Sequence, residues 1–375
     1  MTQATIVIPS RGGAAKLPVL FESLSRQTAS DWDAIVVLDG DIDDSAAVVD
    51  EWATRIPVRR ITFPENRGRA AALSAGFDAA TGEVLIRCDD DLELSPEHVA
   101  GHIAHHAGEP TGVVGMCIDV FPPRNTYAAV YGSAANEAIR AHAYTLPPED
   151  TWRLWAANVS VTRATYDRVG PYDSSFREYG WEDVEWGYRL HKLGLPVLVA
   201  PALEARHHAA ALSTSMRSCR AFSSGRARMH FESKHGSGCP SAETDERAGA
   251  WNALVAALAG SIDERTLPRI SAAADRLIPM LPRYLATKVV AVIVEASALA
   301  GAAQPASTPD RTPVATPVDV LASAGRVRPA LPRRAGPAGR PTPTRSAPTR
   351  RNGHSDRRAR PTVPSEAGSG GAGRW

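Results

Sequence analysis

The chain has 375 residues, enough to bury a large core and to hold about two domains. Its four cysteines, Cys88, Cys117, Cys219 and Cys239, are widely spaced and form no C-x-x-C pair. That argues against a zinc site and a disulfide framework, and for reduced thiols in a cytosolic protein. Charge balances overall, 42 Lys and Arg against 41 Asp and Glu, but the only acids after about Gln304 are Asp310, Asp319, Asp356 and Glu366 among many arginines.

The residues before the first apolar run are neither basic nor apolar, so no signal peptide is expected. Residues 5–8 predict a buried strand ended by Pro9, and Leu17, Leu20, Phe21 and Leu24 predict a helix over 16–27. A second strand is expected over 34–38, ending at Asp39-Gly40, followed by a helix over 45–55 and a strand over 58–63. Residues 69–80 predict a small-residue helix, closed by Thr81-Gly82 and leading into a strand at 84–87. This alternation predicts an α/β fold with a mostly parallel sheet flanked by helices, binding ligands at the carboxyl ends of its strands.

Pro96 suits the first turn of a helix over 95–106, and 113–120 predicts one strand. Residues 121–149 carry no clear pattern and are expected to form a loop. Short strands at 155–162 and 197–200 flank the densest chemistry, and a basic helix is expected over 217–235. Helical patterning resumes over 243–302, interrupted at Pro268 and Pro282. Its most apolar part, from Val289, is broken by Glu295 and reads as too short for a membrane span. A helix packed on the body is expected, with a membrane-surface helix as the alternative. From Gln304 the composition offers too few large apolar residues to offset ordering entropy, so a disordered basic tail is expected.

Two acidic clusters stand out. Asp89, Asp90 and Asp91 close the apolar run 84–86, and adjacent carboxylates at a strand end suit a divalent cation that holds a diphosphate. A solvated acidic turn is the bland alternative. Glu182 and Asp183 open an amphipathic helix beside Tyr179, Gly180 and Trp181, and flat rings suit the apolar faces of sugars. Helix capping is the alternative there. The pair His207-His208 follows, a weak signal alone.

The ordered set is specific. The strand 5–10, the strand 36–40, Glu65-Asn66-Arg67-Gly68 with its helix, the strand ending in Asp89-Asp90-Asp91, Gly180-Trp181-Glu182-Asp183, and the spacing from Pro201 to His207 resemble family 2 of the inverting nucleotide-sugar glycosyltransferases, with the GT-A fold. The likeness covers about residues 4–235. It implies that Asp39, with Pro9, Ser10 and Arg11, lines the nucleotide base pocket, and that Asn66, Arg67, Gly68, Asp90 and Trp181 border the nucleotide sugar. It implies Asp89 and Asp91 as the outer acids of D-x-D, with Asp91 and His207 on Mn2+ or Mg2+ and Asp89 on the metal or ribose. His208 takes the role of His207 if the register slips by one. Asp183 is the implied catalytic base and Glu182 its neighbour.

Gly40 replaces a common second Asp, Ser74 a frequent Asn, and no Q-x-x-R-W motif follows, which points to non-processive transfer. The expected organisation is a GT-A domain over 1–240, a helical extension over 241–303 and the tail over 304–375. Expected partners are a nucleotide-sugar donor, uridine being the family's commonest base, and a carbohydrate or lipid-linked acceptor. The expected location is cytoplasmic, with peripheral contact at the inner membrane face. A sugar nucleotidyltransferase is one rival, on the faint glycine-rich loop Arg11-Gly12-Gly13, and a non-catalytic nucleotide-sugar-binding protein is another. The tail's arginines suit nonspecific electrostatics, and no specific nucleic-acid binding is expected. Arg217, Arg220, Arg226 and Arg228 are either a lid over the diphosphate or a solvated helix face.

Overall fold

A computed structural model describes residues 3–177, 179–208, 211–236 and 249–304. The expected tail from 305 onward, Cys239 and the 240/241 boundary lie outside the described residues.

The first half is built from alternating strands and helices. In chain order these are β1 (Ala4–Ser10), α1 (Leu17–Leu24), β2 (Trp32–Asp39), α2 (Ser45–Trp52), β3 (Val58–Phe63) and α3 (Arg69–Ala79). Then come β4 (Val84–Cys88), β5 (Leu92–Glu93), α4 (His98–His105), β6 (Gly112–Val114) and β7 (Cys117–Asp119). The second half holds α5 (Ser133–Ala143), β8 (Asn158–Thr162), α6 (Arg163–Val169), α7 (Trp181–Lys192), β9 (Val197–Val199) and β10 (Ala205–His207). It ends with α8 (Thr214–His235), α9 (Gly249–Ala259), α10 (Leu267–Leu277) and α11 (Arg283–Ala302).

A seven-stranded sheet runs β3-β2-β1-β4-β8-β6-β9, and a three-stranded sheet runs β5-β10-β7. Strands β1 to β4 pair in parallel, while β8 is antiparallel to β4 and β6. Strand order reverses beside β1, which opens a crevice outside the carboxyl ends of β1, β2 and β4. The pleat splits β1 and β2 between two cores. Val7, Ile35 and Val37 pack with Leu73, Phe77 and Trp186 on one face, and Ile6, Ile8, Val36 and Leu38 with Leu17, Leu20 and Phe21 on the other. Sheets buried on both faces need such continuous apolar strands.

Two sequence expectations fail for steric and compositional reasons. Residues 113–120 are not one strand: β6 joins the large sheet and β7 the small one. Gly115 marks the break, because a Cβ there would stand 2.1 Å from the Leu203 carbonyl oxygen and 2.4 Å from Asn158 Nδ2. Residues 121–149 are not an open loop either. A π-helical turn at Ala128–Gly132 continues into α5, an alanine-rich helix of which only Ala143 is buried.

The expected basic helix starts earlier, at Thr214, where Ser213 Oγ accepts the Met216 N–H and Asp275 accepts the N–H groups of Thr214 and Ser215. The late apolar segment is longer than expected. α11 has 20 residues and is long and apolar enough to cross a membrane. It packs along α8, however, and each helix offers the other a glycine. A Cβ on Gly301 would lie 2.0 Å from the Phe222 carbonyl oxygen, and one on Gly225 would lie 2.1 Å from that of Ala298. Val290, Ala296 and Ala300 on α11 are buried.

α4 lies over β8 by an unusual polar seam. His98 and His102 both reach Asn158 Oδ1 at 3.1 Å, His102 Nδ1 lies 2.8 Å from Ser160 Oγ, and His106 Nε2 lies 2.7 Å from the same hydroxyl. Burial holds His98 and His106 down at about 4, and His102 well below its ordinary value.

Candidate active site

Three strand ends and one helix N-terminus meet at the crevice. At the end of β2, Asp39 receives the backbone N–H of Arg67 at 2.5 Å and of Gly68 at 2.9 Å, one on each carboxylate oxygen. Asn66 Oδ1 accepts the Gly68 N–H as well, at 3.0 Å. Arg11 donates to the Asp39 carbonyl at 2.8 Å, which fixes this loop against the end of β1. Pro9 and Ser10 are buried there. The carboxylate of Asp39 thus shapes the 65–68 loop.

At the end of β4 the three aspartates point in three directions. Asp90 is buried and faces inward, accepting Ser10 Oγ and Lys16 Nζ at 2.6 Å each. Burial, offset by Lys16, lifts its carboxyl to about 6. Asp89 Oδ1 accepts from Arg87 Nε at 3.1 Å and Nη2 at 3.0 Å. Asp91 points toward the small sheet, where its Oδ1 is buried without a hydrogen-bond partner.

Facing that orphaned oxygen is His207. β10 pairs with β5 and β7 so that His207 stands opposite Leu92 and Asp119. Its Nε2 lies 3.6 Å from Asp91 Oδ1, and its Nδ1 lies 2.7 Å from Asp119 Oδ1. Alternation along the strand sends His208 the other way, to Glu93 Oε2 at 2.8 Å. The structure therefore brings His207, and not His208, to Asp91. An acid and an imidazole with a second carboxylate behind it form a donor pair suited to a divalent cation. Asp89 is turned to Arg87 and does not join the pair. Among the described residues no group of three or more His, Cys, Asp or Glu side chains is arranged to hold an ion.

The acids of α7 approach from the other side. Gly180, at φ +91°, makes the left-handed turn that starts the helix, and Glu182 and Asp183 occupy its first turn. Arg189, His191 and Lys192 in the last turn complete the charge pattern that the helix dipole favours. Both acids are nonetheless buried, at 2 % and 4 % exposure. Asp183 Oδ1 accepts a hydrogen bond from Arg87 Nη1. Glu182 Oε1 lies 3.5 Å from Arg69 Nη1, and its Oε2 is buried without a partner. Burial, opposed by Arg87 and reinforced by Glu182, pushes the Asp183 carboxyl up to about 7. Burial works against the charge on Arg87, but Asp183 and Asp89 together hold it well above its ordinary value.

Helix α8 braces this corner. Trp181 Nε1 donates to Ser224 Oγ at 3.0 Å, its ring packs on Phe231 with centroids 5.1 Å apart, and the Tyr179 N–H reaches Ser223 Oγ at 3.1 Å. The Tyr179 ring sits between the guanidinium groups of Arg69, at 5.6 Å, and Arg220, at 5.4 Å. Of the basic residues considered as a lid, Arg226 is 5 % exposed and pairs with Glu264, and Arg228 pairs with Glu232 at 3.3 Å. Those two are structural.

Sequence reasoning missed Arg87, Asp119, Arg69 and Lys16. The only local signal for Arg87 was a cation at the end of the apolar run 84–86, directly before the acids. For Asp119 it was an acid ending an apolar strand.

Residues 5–166 match the family described as Glycosyl transferase family 2. Over 252 residues the chain is 30% identical to the validoxylamine A glucosyltransferase of Streptomyces hygroscopicus subsp. jinggangensis, across 58% of this chain and 60% of that protein. Over 116 residues it is 34% identical to an undecaprenyl-phosphate 4-deoxy-4-formamido-L-arabinose transferase of Pectobacterium carotovorum, across 30% of this chain and 35% of that one. The chain thus spans 60% or less of these curated relatives. Among solved structures, a mannosyltransferase of Pyrobaculum calidifontis in complex with GDP-Man and Mn2+ superposes with a TM-score of 0.50 at 16% identity, over 80% of this chain and 86% of that one. Matched residues and shared architecture agree: residues 5–166 fall within glycosyl transferase family 2, and the fold is GT-A.

Proposed function

We propose that this protein is a metal-dependent, inverting, non-processive glycosyltransferase that moves a sugar from a nucleoside-diphosphate sugar to an acceptor hydroxyl. The observation that carries the reading is the convergence of Asp183 on α7 with the acidic end of β4 through the shared guanidinium of Arg87. A base carboxylate and a diphosphate-side acid cluster are the two parts that direct displacement at a sugar carbon requires.

Arg87 occupies Oδ1 of Asp183, which leaves Oδ2 as the atom that takes the acceptor's proton. A positioned base of this kind contributes ~10²–10⁴-fold. Glu182, with one oxygen unengaged, orients a sugar hydroxyl beside it. Asp91 and His207 would hold Mn2+ or Mg2+, whose chemistry when bound is to neutralise charge on the departing diphosphate. Asp39 sets the 65–68 loop that borders the nucleotide, with Pro9, Ser10 and Arg11 beside it. The Pyrobaculum mannosyltransferase, solved with a nucleotide sugar and Mn2+, supports a donor and cation of this class.

The organisation that goes with this reading is a GT-A domain over 1–240, a helical extension over 241–303 and a basic tail over 304–375. Its acceptor is a carbohydrate or a lipid-linked sugar, and its location is cytoplasmic with peripheral contact at the inner membrane face. The Pectobacterium transferase is named for a lipid phosphate, which supports the lipid-linked option. A diphosphate-release screen across nucleotide sugars with Mn2+ or Mg2+, using Asp183→Asn as the blank, tests the proposal. Release of pyrophosphate from a nucleoside triphosphate instead would replace it with a nucleotidyltransferase.

A further inference from the structure

The junction between α10 and α11 exposes more apolar surface than a folded corner needs. Met280 is 81% exposed, Tyr284 71%, Leu285 48% and Leu277 45%, all within nine consecutive residues. The corner is nevertheless firmly seated. Ile278, Ala286 and Val290 are buried beneath it against Tyr127, and Thr287 Oγ1 donates to the Val130 carbonyl at 2.7 Å. Pro279 and Pro282 restrict the backbone between the two helices. A rigid convex knuckle with an apolar tip has lost its ordering entropy before any partner arrives.

Between Arg276 and Val294 the charges are of one sign, and the flanking acids are engaged, Asp275 by the N–H groups of Thr214 and Ser215 and Glu295 by Trp251 Nε1. Arg276, Arg283 and Lys288 are exposed around the tip, and Arg269 is exposed one heptad before Arg276. No Asp or Glu occurs between Arg276 and Val294. Lys288 Nζ lies 5.1 Å from the Trp251 ring centroid and 5.7 Å from that of Tyr284, so one cation bridges two amphipathic rings. Leu254, a turn beyond Trp251 on α9, is 52% exposed and extends the same apolar surface. Aromatic rings with a polar edge, snorkelling cations and protruding aliphatic groups are the side chains that settle at the boundary between lipid headgroups and acyl chains.

We propose that residues 276–288, with Trp251 and Leu254, form a docking knuckle for an anionic lipid bilayer surface. The cations meet the headgroups, and Met280, Tyr284 and Leu285 enter the boundary beneath them. α11 itself stays packed on α8, as the close approach of Gly225 and Gly301 requires. The inference deepens the membrane contact in the function proposed above by naming its surface, but does not depend on glycosyl transfer.

Sedimentation of the full chain with vesicles, donor and metal absent, tests it. The vesicles are phosphatidylcholine alone or phosphatidylcholine mixed with phosphatidylglycerol, at low and high salt. The arginines beyond Gln304 attract anionic vesicles by charge alone, and that part disappears as salt screens it. The knuckle predicts binding to the anionic vesicles that persists in part at high salt. The double variant Met280→Asp with Tyr284→Asp loses the persistent part, about tenfold or more in vesicle affinity, while its thermal melt is unchanged. Binding that vanishes fully in salt, or a double variant that binds like the parent, overturns the proposal. Self-association that the double variant abolishes, without vesicle binding by the parent, overturns it too and makes the knuckle a protein interface. None of these outcomes bears on diphosphate release, so the two readings fail separately.

Discussion

Arg87 on β4 and Asp183 on α7, 96 positions apart, form a buried ion pair, and the other edge of the same guanidinium holds Asp89. Arg87 is fully buried and Asp183 nearly so. The buried pair and the half-buried Asp89 act as a set, since one cation serves both carboxylates and both offset the cost of burying it. The pair also ties the helix that carries the proposed base to the strand that carries the acidic cluster.

Arg87→Met leaves the buried Asp183 and the half-buried Asp89 without their cation. The expected loss is about 3–5 kcal/mol of folding stability, the range for breaking a buried pair from one side. Arg87→Lys keeps the charge but not the fork, so it serves one acid at a time and falls between the two. Chemical denaturation of the three proteins measures this. A methionine variant as stable as the parent would mean that the pair carries no structural weight.

Asp183 works as a base only when ionised, and burial holds it near 7. Transfer should therefore rise with pH through about 7 and level off above, dropping about tenfold per unit on the acid side. Asp183→Asn should lose ~10²–10⁴-fold in kcat while the nucleotide still binds. A rate that stays flat from mildly acid to mildly alkaline pH counts against Asp183 as the group that titrates.

The imidazole of His207 has a partner on each side, Asp91 at 3.6 Å and Asp119 at 2.7 Å. If Asp91 and His207 hold the cation, Asp119 orients the ring from behind. Asp119→Asn should then weaken metal-dependent nucleotide binding by about 10–100-fold, and Asp91→Asn should weaken it further. Calorimetry with Mn2+ and a nucleoside diphosphate reads both. Unchanged affinity in Asp119→Asn would leave His207 as a purely structural residue.

The part of this architecture that local pattern encodes was legible. Apolar runs closed by Asp39 and by Asp89 announce strand ends, and strand ends in a parallel sheet share one edge. What escaped was set by contacts distant in sequence. Arg87 reads as a solvent-facing cation until Asp183 arrives from α7. The break at Gly115 depends on Leu203 and Asn158 passing too close for a side chain. Helix α5 hides because its apolar positions are alanines apart from the exposed Ile139, so no stripe of large apolar residues marks it. Asp90 sits between two exposed-looking acids, yet Ser10 and Lys16 draw it into the interior.

The seam of His98, His102 and His106 against Asn158 and Ser160 makes the fold sensitive to mild acid. All three titrate below their ordinary value because burial penalises the imidazolium, and His98 and His106 do so at about 4. The unfolded chain takes up these protons near 6.5 while the folded protein refuses them. The seam's own contribution is therefore constant above about 6.5, and each imidazole costs about 1.4 kcal/mol per unit as pH falls from there toward 4. No carboxylate takes part in the hydrogen bonds of this seam, but Asp90 and Asp183, raised to about 6 and about 7, titrate in the same window with the opposite sign, in the parent and in a histidine variant alike. Between pH 7 and pH 4.5 the denaturation midpoint of His98→Asn, which keeps an amide near Asn158 without a titrating ring, should improve relative to the parent by the acid penalty that His98 no longer imposes. Equal slopes in the two proteins would place the acid sensitivity elsewhere in the chain.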